Sequence, residues 1–337
     1  MLAKLARELP SGDFLYEPKW DGFRCLAARD GDEVDLRSRH GRPFGRYFPE
    51  LVDAFRALRC ETFVLDGEIV AAANGAHDFS ALLARIHPAA TRVERLRAET
   101  PAAYVAFDAL ATDRGELLTL PFRDRRRRLE ALLAGAPEPL QVTPVAATAE
   151  EAERWLDLPP GSGIDGIVAK NLAQRYEPGA RTMIKVKRER TADCVVAGFR
   201  WLVDRPLPSS LLLGLYDEHG DLRHVGVASS FTQRTREELL ATLRPRVVEL
   251  VGHPWERGFL LSGNPTGRLR GSAGRWTPDM TQDWTPVAPE LVCEVRYDQL
   301  DGERFRHPAR FIRWRPDREP TSCTFDQLSH APVTLQR

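Results

Sequence analysis

The chain has 337 residues, 42% hydrophobic and 28% charged, with 48 basic side chains balanced by 48 acidic ones. That length and composition exclude a disordered or low-complexity protein and set a prior for two globular domains, while zero net charge excludes a globally basic nucleic-acid binder and leaves phosphate contacts to local patches. No apolar run reaches the ~18 residues of a membrane helix, residues 1–10 are too short and charged for a secretory signal, and five scattered cysteines without a CxxC signal neither disulfides nor zinc; a cytoplasmic protein without membrane partners is expected.

In chain order, residues 14–16 read as a short strand. Glu17-Pro18-Lys19-Trp20-Asp21-Gly22 then places a lysine on a strand-to-turn corner, with Asp21-Gly22 as the turn. Residues 23–29 and 33–37 bracket Asp30-Gly31-Asp32 as a hairpin, and Ser38-Arg39-His40-Gly41 follows as a polar loop. The spacing at 49–58 predicts a helix. Residues 63–72 read as two apolar arms around Asp66-Gly67, with Glu68 facing away from the apolar side. A loop feeding a helix is expected over 77–87, and a strand over 103–110, where Phe107 is most simply a core aromatic. At 121–134 the pattern predicts a helix whose arginine run is a solvated face, with phosphate contact as the alternative. A second helix is expected over 148–158, opened by a threonine cap.

Gly161-Ser162-Gly163-Ile164-Asp165-Gly166 formally matches GxGxxG. It follows a helix and two prolines and opens a strand at 167–170, the wrong context for a dinucleotide fingerprint. No lysine follows a glycine, so there is no P-loop. Over 183–188 alternation puts Lys185 and Lys187 on one face of a strand. Two adjacent cations lower each other's pKa and that of a third amine they face, and they would neutralise a phosphate under attack. After about residue 190 five short strands are expected (194–201, 211–216, 222–228, 291–298 and 310–315), with a helix over 235–251 and a long surface loop over 262–289. This pattern suits a partly open barrel. The tail, 304–318, mixes six arginines with aromatics.

Lysine usage sharpens the choice of residues. Only five of the 48 basic residues are lysines, at 4, 19, 170, 185 and 187. Arginine stays protonated and cannot serve as an amine nucleophile, so the retained lysines are enriched where arginine will not do.

Seven segments in order carry a resemblance: KWDGFR at 19–24, SRHG at 38–41, DGEIV at 66–70, AFDAL at 106–110, DGIVAK at 165–170, IKVK at 184–187 and RHPARFIRWRPD at 306–317. Together they resemble the ATP-dependent DNA ligases of the covalent nucleotidyltransferase superfamily over almost the whole length. With its short segment before Lys19 the chain resembles the accessory repair ligases of actinobacteria, and no large N-terminal DNA-binding domain is expected.

The resemblance implies an α+β protein of two domains: a nucleotidyltransferase domain over 1–190, with ATP-grasp-like antiparallel sheets and helices, and an OB-fold barrel over 191–337. It implies Lys19 as the nucleophile that becomes AMP-modified, Glu17 beside the adenine amino group, Arg24 and Arg39 on phosphate or ribose, Glu68 on the ribose and Phe107 stacked on adenine. Lys170, Arg181, Lys185 and Lys187 would surround the α-phosphate. Arg310, Arg313, Arg315 and Asp317 would orient the leaving pyrophosphate from the second domain. Glu68 and Asp165 would hold Mg²⁺ or Mn²⁺; Asp165 stands where the family usually has glutamate, one methylene longer, so a water-bridged ion is expected there. The implied partner is nicked duplex DNA, with other repair proteins beside it and a nucleoid-associated monomer as the working form. RNA ligase, a capping-type guanylyltransferase and a non-catalytic nucleic-acid-binding module are the alternatives.

Overall fold

The computed structural model describes residues 1–73, 76–77, 79–87, 89–158, 162–187, 190–256 and 284–329, and the chain divides into two compact units, Met1–Arg188 and Glu189–Arg337. Strands of three or more residues are numbered below.

The first unit runs β1 (Leu2–Leu5), β2 (Phe14–Trp20), β3 (Phe23–Asp30), β4 (Glu33–Ser38), α1 (Pro49–Arg56), β5 (Thr62–Ala73), α2 (Phe79–Arg85), α3 (Ala90–Glu99), β6 (Ala102–Thr112), α4 (Phe122–Leu132), β7 (Leu140–Val142), α5 (Ala149–Glu153), β8 (Ile164–Asn171) and β9 (Arg181–Lys187). Among the described residues these strands form two sheets. One has the antiparallel spine β4-β3-β5-β6, with β7 parallel to β6. The other has the order β1-β9-β8-β2, antiparallel except for β1 against β9. The main core lies on the first sheet, where Phe48, Leu51 and Phe55 of the α1 region pack on Phe63, Leu65 and Tyr104.

Several sequence expectations change. β2 extends to Trp20, so Lys19 lies within a strand, and the corner comes after it. Residues 62–73 are one strand rather than two arms. Gly67 is there for space: a Cβ at this position would come 2.4 Å from the Tyr104 ring. α3 was not anticipated, and α5 stops at Glu153, although Thr148 does cap it by accepting from the Glu151 amide.

The arginine run of α4 is not a uniformly solvated face. Residues 122, 125, 126 and 129 are buried, the i, i+3, i+4, i+7 stripe of a core-facing helix. Arg125 donates through Nε and Nη2 to both carboxylate oxygens of Asp108 at 2.8 and 2.9 Å, with both side chains fully buried.

The second unit contains β10 (Arg190–Trp201), β11 (Pro208–Tyr216), β12 (Leu222–Ala228), α6 (Gln233–Leu243), β13 (Thr285–Tyr297) and β14 (Arg310–Trp314). They make one sheet, ordered β12-β11-β10-β13-β14, and an isolated parallel bridge joins Ala228 to Ala309 beside its two edges. Its core includes Phe199, Leu213, Val225, Trp255 and Val295. α6 ends at Leu243, short of the expected 251, and a 3-10 turn carrying Pro245 follows. The Pro159-Pro160 pair, Gly161, Arg188 and residues 262–283 of the expected loop lie outside the described residues. Among the described residues no helix is long and apolar enough to cross a membrane.

Candidate active site

The chain changes sheets between Trp20 and Phe23, so β2 delivers Glu17 and Lys19 from one sheet while β3 begins the other with Arg24. Gly22 makes the crossing possible, because a Cβ there would lie 2.2 Å from the Ile69 carbonyl oxygen and 2.9 Å from Glu68 Cγ. The carbonyl is backbone of the paired strand and cannot retreat without opening the sheet. Gly22→Ala is therefore expected to cost about 1–3 kcal/mol and to lower the rate of nucleotide attachment more than its change in melting temperature explains; comparing both at a temperature well below melting checks this.

Between the two sheets lies a cavity of about 260 Å³ lined by Glu17, Lys19, Arg24, Arg39, Glu68, Phe107, Lys170, Arg181 and Lys185. Nine of the residues singled out from the sequence thus converge on one space. Glu68 and Phe107 leave their bland roles as solvent-face carboxylate and core aromatic and become pocket wall. Asp165 and Lys187 sit beside it: Lys19 Nζ is 2.7 Å from Asp165 Oδ1, and Lys187 Nζ is 3.0 Å from Asp165 Oδ2. A register irregularity between Ile164 and Ile167 in the β8–β2 pairing re-aims Asp165 towards this cluster. Gly166 follows with its Cα so close to β9 that a Cβ would meet the Val186 carbonyl oxygen at 2.3 Å.

The lysine cluster is therefore interleaved with a carboxylate, which the alternation of β9 alone did not reveal. Lys185 has its pKa lowered by burial and, next, by the charges of Lys187 and Lys19. Burial pushes the Glu68 carboxyl up to about 8, against the pull of Lys19 and Arg24.

At the opposite wall Lys170 is buried. Its ammonium pairs with Glu17 Oε2 at 2.7 Å, donates to the Phe107 carbonyl at 2.7 Å and stands 4.7 Å from the centre of the Phe107 ring. Arg24 donates through Nε and Nη2 to Asp66 at 2.9 and 2.6 Å, so its forked edge is taken up inside the protein.

Asp66 and Arg126 are the site residues that sequence reading overlooked. Asp66 was signalled as a charge within an otherwise apolar strand, and Arg126 by its place on the buried stripe of α4. In the second unit Arg313 pairs with Glu294 at 2.7 Å, and Arg315 lies between Asp193 and Asp317 at 3.0 and 2.8 Å. Arg310 opens β14 and is exposed. Among the described residues no group of three or more His, Cys, Asp or Glu side chains gathers as a metal cage.

Family comparisons identify the class of protein. Residues 1–187 match the family described as ATP dependent DNA ligase domain, and residues 204–318 match the ATP dependent DNA ligase C terminal region. The chain belongs to the ATP-dependent DNA ligase family and has its α+β nucleotidyltransferase structure. It is 46% identical over 334 residues to "DNA ligase C2" of Mycolicibacterium smegmatis, covering 98% of this chain and 94% of that protein. It is 45% identical over 340 residues to "DNA ligase C" of Mycobacterium tuberculosis, covering 99% and 94%. A solved structure of a Lig E DNA ligase superposes with a TM-score of 0.55 at 18% identity, over 93% of this chain and 98% of the other, a likeness of fold. Membership favours a DNA ligase over the RNA-ligase, capping and non-catalytic alternatives.

Proposed function

We propose that this ligase seals nicks in duplex DNA through an AMP carried on Lys19. The observation that carries it is the meeting of Lys19 with Asp165, Lys185 and Lys187 at the rim of a pocket whose far wall is Glu17, Phe107 and Lys170. Lys19 Nζ attacks the α-phosphorus of ATP, the bond to the bridging oxygen breaks, and pyrophosphate leaves. Asp165 Oδ1, 2.7 Å from Nζ, is the carboxylate in reach of the lysine proton. Lys185, Arg39 and Arg181 offset the charge on the phosphates, and Phe107 offers its face to the purine. The AMP then passes to the 5′-phosphate at the nick, and the 3′-hydroxyl attacks that phosphate and releases AMP.

A divalent cation, Mg²⁺ or Mn²⁺, suits this donor set. Such an ion needs one or two protein carboxylates and completes its shell with phosphate oxygens and waters, and Glu68 and Asp165 are close enough to interact electrostatically. When bound it would neutralise phosphate charge.

In the second unit the strand order and the parallel Ala228–Ala309 bridge support an OB-type barrel. Arg310, Arg313, Arg315 and Asp317 are its candidates for the pyrophosphate, with domain closure in the reaction cycle. The division near residue 190 supports a nucleotidyltransferase domain followed by this barrel.

Glu68 gives a pH test. Its carboxyl is largely neutral below about 8 in the free enzyme, and ribose or metal recruits the ionised form. ATP with Mg²⁺ should therefore bind more tightly as pH rises towards 8 and release a proton at neutral pH. Calorimetry in two buffers of different ionisation enthalpy measures that proton, which Glu68→Gln should abolish. The stability sign is the reverse: the native state holds a proton that the unfolded chain has lost between about 4.5 and about 8, so this group's contribution to stability falls as pH rises through that window. The overall reaction is tested by sealing of a nicked DNA duplex with ATP. Failure to seal, with the protein folded, overturns the proposal.

A further inference from the structure

Glu17 faces the pocket from β2 and is only 3% exposed. Its two oxygens are not equivalent. Oε2 takes the Lys170 ammonium at 2.7 Å, whereas Oε1 has no hydrogen-bond partner among the described residues. Arg126 Nη1 stands 3.6 Å from Oε1, beyond hydrogen-bond length. That nitrogen is likewise buried and without a hydrogen-bond partner among the described residues.

The rest of the Arg126 guanidinium is fixed. Nε donates to Glu130 Oε1 at 2.7 Å, and Nη2 donates to the Thr143 carbonyl at 2.8 Å. Arg126 does not line the cavity; it stands behind Glu17 as a clamped positive charge.

The chemistry of the Glu17 carboxyl depends on whether it is ionised. An ionised carboxylate only accepts hydrogen bonds, whereas a protonated one also donates. The 6-position of adenine carries an amino donor, and that of hypoxanthine or guanine carries an oxygen acceptor. An acceptor-only Glu17 carboxylate at the cavity wall therefore pairs with the first and repels the second, while a protonated carboxyl accommodates both. Resting on the ATP-dependent adenylation described above, we propose that Arg126 is a positioning residue that holds Glu17 as an acceptor-only carboxylate and thereby makes the pocket select 6-amino over 6-oxo purine nucleotides.

The balance around Glu17 supports this. Burial raises its pKa; Lys170 on β8 and Arg126 on α4 act against burial, and Asp108 on β6, itself locked to Arg125, acts with it. Burial outweighs the two cations, so the Glu17 pKa stands above its ordinary value, and removing either cation raises it further.

The test is attachment of labelled nucleotide to the full-length protein with Mg²⁺, comparing ATP with inosine triphosphate from about pH 5.5 to about pH 9. Because both nucleotides meet the same lysine, the ratio of their kcat/KM values cancels the pH dependence of the attack and of Glu68. In the wild type the ratio should exceed about tenfold at alkaline pH and fall towards acid. In Arg126→Gln that fall should move up by about one pH unit or more, and Arg126→Lys should bring it back towards wild type. Glu17→Gln, whose amide both donates and accepts at every pH, should give a low, flat ratio, and it decides the matter even if Arg126→Gln does not fold. Coincident wild-type and Arg126→Gln profiles, or a wild-type ratio retained in Glu17→Gln, would overturn the inference while adenylation itself stands. A wild type that takes no label from ATP would instead defeat the function on which the inference rests.

Discussion

Lys19→Arg is expected to take up no AMP from ATP and to lose sealing by on the order of 10⁵–10⁶-fold, as when a covalent nucleophile is removed. The substitution keeps the positive charge beside Asp165, now 2.7 Å from the lysine nitrogen, so the electrostatics of the cluster change little. What it removes is a nitrogen lone pair: guanidinium stays protonated at any working pH and is a poor nucleophile. The same variant should still seal a nick whose 5′-phosphate already carries AMP, because the last step uses the DNA's own 3′-hydroxyl. Sealing assays on plain and pre-adenylated nicks separate the two. Loss on both substrates would mean that Lys19 supports the structure of the site rather than carrying the nucleotide.

Arg125→Met is expected to destabilise the first unit by about 3–5 kcal/mol, because it strands the Asp108 carboxylate at 1% exposure without its bidentate partner. Arg125 also donates to the Leu120 and Gln174 carbonyls at 2.8 and 2.9 Å, so three strands and loops lose a common tie. For a unit of this size that corresponds to roughly 10 °C or more in melting temperature. The double variant Arg125→Met with Asp108→Leu should recover much of the loss, since no buried charge is left uncompensated. Thermal melts of the two variants show whether the pair is a structural clamp; unchanged melting of Arg125→Met would contradict it.

The residues proposed for the chemistry were legible in the sequence because the reaction leaves little choice of residue type. In a chain that otherwise uses arginine, lysine survived at 19, 170, 185 and 187, and the structure gathers all four around one pocket and its rim. The hairpin at 30–32 and the five strands of the second unit were legible from turn residues and apolar alternation. Less visible was anything decided by tertiary packing. Arginine abundance hid Arg125 and Arg126, whose burial requires carboxylates from β6, α4 and β2 that no local pattern announces. The Asp66-Gly67 pair resembled a turn, yet the glycine makes room for the Tyr104 ring and the aspartate anchors Arg24. Asp165 pairs with two lysines because a register irregularity turns it towards them, and registers between distant strands are not written in either strand alone.

The most direct measurement is the intact mass of the purified protein after exposure to ATP and Mg²⁺, followed by peptide mapping. A gain of one adenylyl group, confined to the peptide that contains Lys19 and absent from Lys19→Arg, is the result this account predicts. No mass gain, or an adenylyl group on any other residue, would contradict it.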